Sequence, residues 1–178
     1  FNWTESCYSS TAVQPEKAAR GPARRSATGL PMASDFALFL DDDGVVLRRG
    51  ATPQVLAQVL LSDPDFEERI AALRAQLIEL AGPDAAVDIV LPDSQVLYTE
   101  TPASGLDRVA DAVRVRSALD GSTPYALSEL VCDWAEQDGR LKIAVIARET
   151  LDEAAAFAAQ HGFRLHSYRA SGGDGAFP

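Results

Sequence analysis

The chain contains two short apolar blocks, at 35–40 and 45–49, whose lengths suit β-strands. Between them runs the acidic segment Asp41-Asp42-Asp43-Gly44. An Asp-Gly step between two apolar runs is a strong hairpin signal, because glycine adopts a positive φ at little cost. The sequence therefore predicts a β-hairpin here, with the three aspartates at its turn.

A helix is predicted after this hairpin. Its start is signalled by Ser62-Asp63-Pro64, which offers side-chain caps and an early proline, and its end by Gly82-Pro83. The apolar residues between these limits recur at helical spacing and define one face: Phe66, Ile70, Leu73, Leu77 and Leu80. The apolar segment before it, 54–61, is ambiguous between a helix and a strand.

Strand patterns recur through the second half of the chain. They are short, rich in β-branched residues and bounded by turn residues, and they lie at 87–91, 95–99, 130–135, 141–147 and 163–168. The turn 137–139 contains an Asp-Gly step, which predicts that the third and fourth of these strands form a second hairpin.

Two further helices separate these strands. One is predicted at 108–119, with Val109, Ala112 and Val113 as its apolar positions, and the other at 151–161, capped by Thr150 and ended by Gly162. A helical turn is also predicted at 125–127. Hairpins mixed with crossover helices predict an α/β (α+β) fold, in which helices pack on one mixed sheet.

Composition divides the chain into three parts. Residues 1–31 lack an apolar period and are rich in small and polar residues, which predicts a flexible arm or an added leader. Residues 32–170 form a single predicted α/β domain, and the glycine-rich segment 171–178 is predicted to be a flexible tail. The arm carries four basic residues that are either a docking patch or, more simply, solvated: Lys17, Arg20, Arg24 and Arg25.

Charge narrows the classes of partner. The formal net charge is −10, from 16 basic and 26 acidic residues, which disfavours binding to nucleic acid or to anionic lipid. Apolar runs are far shorter than the roughly 20 residues of a spanning helix, so no direct membrane insertion is predicted. The two cysteines are too few for a disulfide framework or a zinc site, and Cys132 is expected to be buried in a strand.

Motifs for common chemistries are absent from the sequence. It contains no phosphate-binding loop, no dinucleotide-binding glycine motif, no zinc-protease helix and no nucleophile elbow. Ser94, Asp93 and His166 could be imagined as a hydrolytic set, but no pattern links them. We therefore predict a protein that is not an enzyme, with no catalytic residues, no metal site and no cofactor.

The acidic turn is the one candidate cluster. Asp41 and Asp43 beside Gly44 could hold Mg²⁺, and through it a nucleotide, because carboxylate oxygens suit that ion. The simpler interpretation is that these residues solvate the tip of a hairpin, since alternate side chains of the run point to different sides. Trp134 shares a strand face with Cys132, where core packing is favoured over ligand stacking.

From Ile89 onward the chain resembles a known family. The matching segments keep the family's order and spacing and lie at 89–92, 95–99, 118–119, 123–129, 143–147, 149–152 and 161–163, together with Asp133. They resemble the actin-like cytoplasmic domains of the general secretion pathway protein L and the type IV pilus assembly protein M. The resemblance covers roughly 33–168 and implies a ribonuclease-H-like fold.

The resemblance also implies a function. It points to a non-catalytic scaffold or protein-interaction domain, in the cytoplasmic part of a bacterial membrane-associated assembly for secretion or pilus building. Protein partners are expected, with a homo-oligomer left open. Two alternatives remain: an ATP- and Mg-binding actin-like module that uses Asp41, Asp43 and Gly44, and a small-ligand binder with a deep apolar pocket beside Trp134.

Overall fold

A computed structural model describes residues 34–50 and 54–171. Eight strands lie in this described part: β1 (Phe36–Leu40), β2 (Gly44–Arg49), β3 (Val55–Leu60), β4 (Ala86–Leu91), β5 (Leu97–Pro102), β6 (Leu130–Gln137), β7 (Arg140–Ala147) and β8 (Arg164–Ala170). The helices are α1 (Phe66–Ala81), α2 (Arg108–Leu119) and α3 (Arg148–Gln160). The predicted arm 1–31 lies outside the described residues, as does most of the predicted tail, so the predicted division into domains stays a prediction.

Five strands form the first sheet, in the order β3-β2-β1-β4-β8. The first three strands form an antiparallel meander, because β1 pairs with β2 and β2 pairs with β3. β4 then lies parallel to β1, and β8 lies parallel to β4. Two parallel strands need a long crossover connection between them. Helix α1 lies in the connection that leads to β4, and helix α3 in the one that leads to β8. The predicted α/β class, with hairpins and crossover helices, is confirmed.

The prediction of a single sheet is wrong. β5, β7 and β6 form a separate antiparallel sheet, inserted in the chain between β4 and α3. Its central strand β7 is buried on both faces. Leu141, Ile143 and Val145 belong to a core shared with α2, whereas Ala144 and Ile146 belong to the core beneath the first sheet.

The larger core lies between the first sheet, α1 and α3. α1 contributes Ile70, Leu73 and Leu77, as its apolar period predicts. Phe66 is only partly buried and Leu80 is exposed, so the buried stripe is shorter than predicted. This core buries the face of the first sheet that carries Leu38 of β1 and Ile89 of β4.

The predicted face of α2 is wrong, although its bounds are as predicted. Val109 and Val113 are exposed, and the helix instead buries Val115, Leu119 and Asp111. Asp111 is satisfied there because its Oδ1 accepts a hydrogen bond of 2.7 Å from the backbone N–H of Ser104. A helix with apolar residues on two sides cannot be oriented from spacing alone, and the position of the second sheet decides.

Several boundaries also differ from prediction. The ambiguous segment 54–61 is a strand, and α1 begins without a side-chain cap. Asp63 stabilises the preceding turn instead, where its Oδ2 accepts from the N–H of Leu60 at 2.9 Å. α3 begins at Arg148, so Thr150 lies inside the helix and is not its cap. No helix in the part of the chain that the structure describes is long and apolar enough to cross a membrane.

Gly44 has a different role from the one predicted. Its φ is not positive, whereas the β6–β7 turn does use positive φ at Asp138 (52°) and Gly139 (74°). A Cβ on Gly44 would instead overlap the carbonyl oxygen of Val59 and lie 2.9 Å from the Cα of Leu60. Glycine is therefore required because the β2 and β3 backbones approach closely at this point.

We expect Gly44→Ala to reduce the free energy of unfolding by about 2 to 4 kcal/mol, because the new methyl group displaces β3 from β2. Gly82→Ala is the matched control: nothing lies within 4 Å of its Cβ, but its φ is +86°. Backbone strain alone should cost about 1 to 2 kcal/mol there. Urea unfolding of both variants measures the difference, and an equal or smaller loss for Gly44→Ala would contradict the packing explanation.

The stability of the α2 region is expected to depend on acid pH. The hydrogen bonds from Ser104 hold the pKa of Asp111 below its ordinary value. Because the pKa of Asp111 is lower in the folded state than in the unfolded state, its ionised carboxylate stabilises the fold at pH values above the unfolded pKa, near 3.9 for aspartate. That stabilisation is lost as the pH falls through the folded-state pKa. Asp111→Asn removes that ionisation. The urea midpoints of the wild-type protein and of Asp111→Asn should therefore converge as the pH is lowered from neutral to about pH 3. A constant difference between the two midpoints over this pH range would contradict the explanation.

Candidate binding cleft

The β1–β2 turn is held rigid by its own first aspartate. Asp41 Oδ1 accepts hydrogen bonds from the backbone N–H groups of Asp43 (3.0 Å) and Gly44 (2.8 Å). The backbone closes the same turn, since Asp41 N donates to Gly44 O at 3.0 Å. The Asp43 carbonyl in turn accepts from Leu61 N at 2.9 Å, which ties the turn to the end of β3.

A cleft of about 310 Å³ lies beside this turn. Its walls come from the β1–β2 turn, the end of β3, the end of β4 and one side of α3. The lining residues are Leu40, Asp41, Asp42, Gly44, Val45, Leu61, Leu91, Pro92, Gln95, Thr150, Glu153, Ala154 and Phe157. The carboxyl ends of the parallel strands β1 and β4 meet here, which is where open α/β sheets commonly bind ligands.

Two of the three predicted cofactor residues line this cleft. Asp41 and Gly44 contribute to its wall, whereas Asp43 does not. The Gly44 N–H already donates to the Asp41 carboxylate, so that N–H is not available to a phosphate. The turn therefore lacks the open row of backbone donors with which glycine-rich loops hold phosphates.

The cleft is acidic above an apolar floor. Asp41, Asp42 and Glu153 line it, and among the described residues that form it there is no lysine or arginine. Phe157, Leu91 and other apolar side chains supply the floor. Such a surface repels a free polyphosphate and attracts a cationic group that carries an apolar stem.

Two neighbouring depressions extend the cleft across the start of α3. One, of about 420 Å³, shares Gln95 and Thr150 with the cleft and continues to Tyr125. The other, of about 460 Å³, shares Glu153 with it and adds three more carboxylates: Glu129, Glu149 and Asp152. The one basic residue lining this second depression is Arg148. The three depressions share lining residues around the start of α3, and two of them are lined by carboxylates; together they are called the α3 groove below.

The imagined hydrolytic set is not assembled. Asp93 accepts a hydrogen bond of 2.8 Å from the Tyr98 hydroxyl, and His166 Nδ1 lies 2.8 Å from Asp88 Oδ1 instead. In the described ranges there is also no group of three His, Cys, Asp or Glu residues that could hold a metal ion.

Asp88 is the polar residue that the sequence reasoning missed. It lies in the apolar strand β4 and is 1% exposed. Its carboxylate accepts from Ser167 Oγ (2.7 Å) and Ser34 N (3.1 Å), and Arg169 lies 3.6 Å away. The β4–β8 register shifts between Val87 and Asp88, so that Asp88 faces Ser167. A lone aspartate inside a β-branched run is the signal, and its role is to fix β8 on β4.

Trp134 packs partly against the second core, and its ring is covered by Arg108, whose Cζ is 4.5 Å from the ring centre. The adjoining cavity of about 440 Å³ is lined by carboxylates of Asp107, Asp111 and Glu136. It is therefore polar, unlike the deep apolar pocket that the small-ligand alternative requires.

No protein-family model matches the chain, and no curated protein matches its sequence. The cytoplasmic domain of EpsL, an inner membrane component of the type II secretion system of Vibrio cholerae, superposes with a TM-score of 0.56 at 10% identity. The match covers 76% of this chain and 56% of that chain. This chain thus spans little more than half of the EpsL domain.

Two further solved structures match with lower scores. A Bacteroides thetaiotaomicron protein with an actin-like ATPase fold and unknown function gives a TM-score of 0.37 at 12% identity, covering 76% of this chain and 51% of that chain. The PilM-PilN type IV pilus biogenesis complex gives 0.42 at 14% identity, covering 78% and 45%. Over the matched region the chain has the fold of the EpsL cytoplasmic domain, as the resemblance of its sequence to the secretion-protein-L domains predicted.

Proposed function

We propose that this chain is a non-catalytic protein-interaction domain, in the cytoplasmic part of a bacterial secretion or pilus assembly, and that its α3 groove binds a segment of a partner protein. The acidic groove carries this proposal. Its apolar floor and carboxylate rim match a peptide that combines apolar and basic side chains. The fold shared with the EpsL cytoplasmic domain supports a place in such an assembly.

The groove suits a peptide better than a compact ligand. Its three depressions share lining residues around the start of α3, a layout that suits an extended segment. Exposed Leu61, Leu97 and Tyr125 offer apolar contacts within reach of it. Acidic side chains at the rim raise the association rate of a basic partner more than its final affinity.

A Mg-ATP module that uses Asp41, Asp43 and Gly44 is the second candidate. The position of the cleft at the carboxyl ends of β1 and β4 favours it. The electrostatics oppose it, since the described lining has carboxylates and no basic side chain, and Asp41 is engaged by the turn.

Calorimetry with Mg-ATP separates these two functions. We expect no heat of binding from the full chain, because the turn lacks free phosphate donors. Asp43→Ala is the test variant, because the nucleotide hypothesis makes Asp43 a ligand of Mg²⁺ although Asp43 does not line the cleft in this structure. Binding at micromolar concentration that Asp43→Ala abolishes would establish the nucleotide module and contradict a pure scaffold.

Peptide binding tests the groove directly. We expect a labelled synthetic peptide of leucine and lysine to bind the full chain, and a matched peptide of leucine and glutamate not to bind. Reversing three groove charges, by Glu149→Lys, Asp152→Lys and Glu153→Lys, should weaken binding by about tenfold or more, which is about 1.4 kcal/mol.

A second triple variant controls for net charge. Glu67→Lys, Glu68→Lys and Glu79→Lys change the total charge equally, but lie on exposed positions of α1. This variant should retain most of the binding. Equal weakening by both triples would show that the peptide responds to the overall charge of the protein, and the groove would then have no special role.

A further inference from the structure

The first sheet has a second face, which points away from α1 and α3 and is called the outer face below. Ala37, Val46 and Val90 alternate along their strands with residues of the larger core, so they point to this outer face. They are only 5%, 7% and 6% exposed, yet they belong to neither core. Within the described ranges, the helices and the second sheet bury their apolar side chains in the two cores instead. Neither the helices nor the second sheet is therefore the cover of this face.

The chain reaches the outer face at Ser34, where the described part begins. Ser34 N donates to Asp88 Oδ2 at 3.1 Å, and Ser34 Oγ donates to the Ala86 carbonyl at 2.6 Å. Asp88 lies between Val87 and Ile89 of the larger core, so its carboxylate points to the outer face. The chain that precedes Ser34 therefore starts beside this face.

We propose that the eight uncharged residues before Ser34, 26–33, cover the outer face of their own chain, with Leu30 and Met32 as the apolar contacts. Eight residues reach about 26 Å when extended, at about 3.3 Å each. The first and last of the five strands lie about 19 Å apart, at about 4.8 Å between neighbours, so the segment is long enough to cross the sheet. The attachment at Ser34 makes the contact intramolecular, which favours this segment over a second molecule.

Charge selects this segment over the basic stretch 17–25. Arg48 and Arg169 border the outer face, and its carboxylate, Asp88, already lies 3.6 Å from Arg169. Such a face repels a basic segment and accepts an uncharged one.

Arg48 also offers the segment a hydrogen bond. Its guanidinium lies over Phe39, with Cζ 4.2 Å from the ring centre, and its Nε is buried with no acceptor in the part of the chain that the structure describes. A buried donor without an acceptor costs stability, and a backbone carbonyl of the covering segment would satisfy it. The outer face shares no residue with the α3 groove, so its cover is independent of the proposed function.

Urea unfolding of the full chain tests the contact. Leu30→Asp combined with Met32→Asp should lower the folding equilibrium constant by about tenfold or more, because it places two charges against an apolar face. The same variant should raise the fluorescence of a dye that binds exposed apolar surface. Ala18→Asp combined with Ala19→Asp is the matched control: it changes the net charge equally, in the stretch that the outer face repels, and should leave both measurements unchanged.

A double-mutant cycle locates the contact. Leu30→Ala and Val90→Ala should be coupled, so that together they lower the folding equilibrium constant less than the product of their separate effects, by about threefold or more. Leu30→Ala and Leu77→Ala should act independently, because Leu77 belongs to the larger core on the other side of the sheet.

Three results would overturn the proposal. One is a Leu30→Asp and Met32→Asp variant with the stability and dye binding of the wild type. Another is independent action of Leu30→Ala and Val90→Ala. The third is a urea midpoint that rises with protein concentration, which would assign the outer face to a second copy of the chain.

Discussion

The burial of β7 on both faces is the constraint on which this structure depends. Its alternate residues serve two cores, with Ile143 on the side of α2 and Ile146 on the side of the first sheet. Because a strand turns successive side chains to opposite faces, one unbroken apolar run can join two layers. The inserted sheet is thereby packed against the first sheet and α3, and it cannot turn against them without exposing the larger core.

This arrangement explains where the α3 groove lies. The inserted sheet returns the chain to α3 directly after β7, and Thr150 in the first turn of α3 lines depressions beside both sheets. The β1–β2 turn and the end of β4 reach the same place from the first sheet. The groove is thus made by segments that are distant in sequence, and its acidic character comes from carboxylates on several of them. A rigid turn, closed by Asp41 and by the contact of Gly44 with β3, supplies one fixed wall.

Polar groups in the interior have a structural role here. Asp88 is satisfied by Ser34, Ser167 and His166, and its position coincides with the register shift between β4 and β8. A buried carboxylate without these partners would cost several kcal/mol, and the network joins Asp88 of β4 to β8 in the observed register. Tyr168 acts similarly: its hydroxyl donates to the Leu151 carbonyl at 2.9 Å, and burial raises its pKa.

Local patterns determined the elements of this protein. Apolar period, turn residues and helix stops predicted α1, α2 and both hairpins, because each depends on neighbours within a few residues. Tertiary structure alone decided the second sheet, the buried face of α2 and the acidic groove. Val109 and Val115 are equally apolar in sequence, and only the position of the second sheet determines that Val115 is buried and Val109 exposed. The reason is physical: which face is buried, and which carboxylates meet, depends on contacts between segments far apart in the chain.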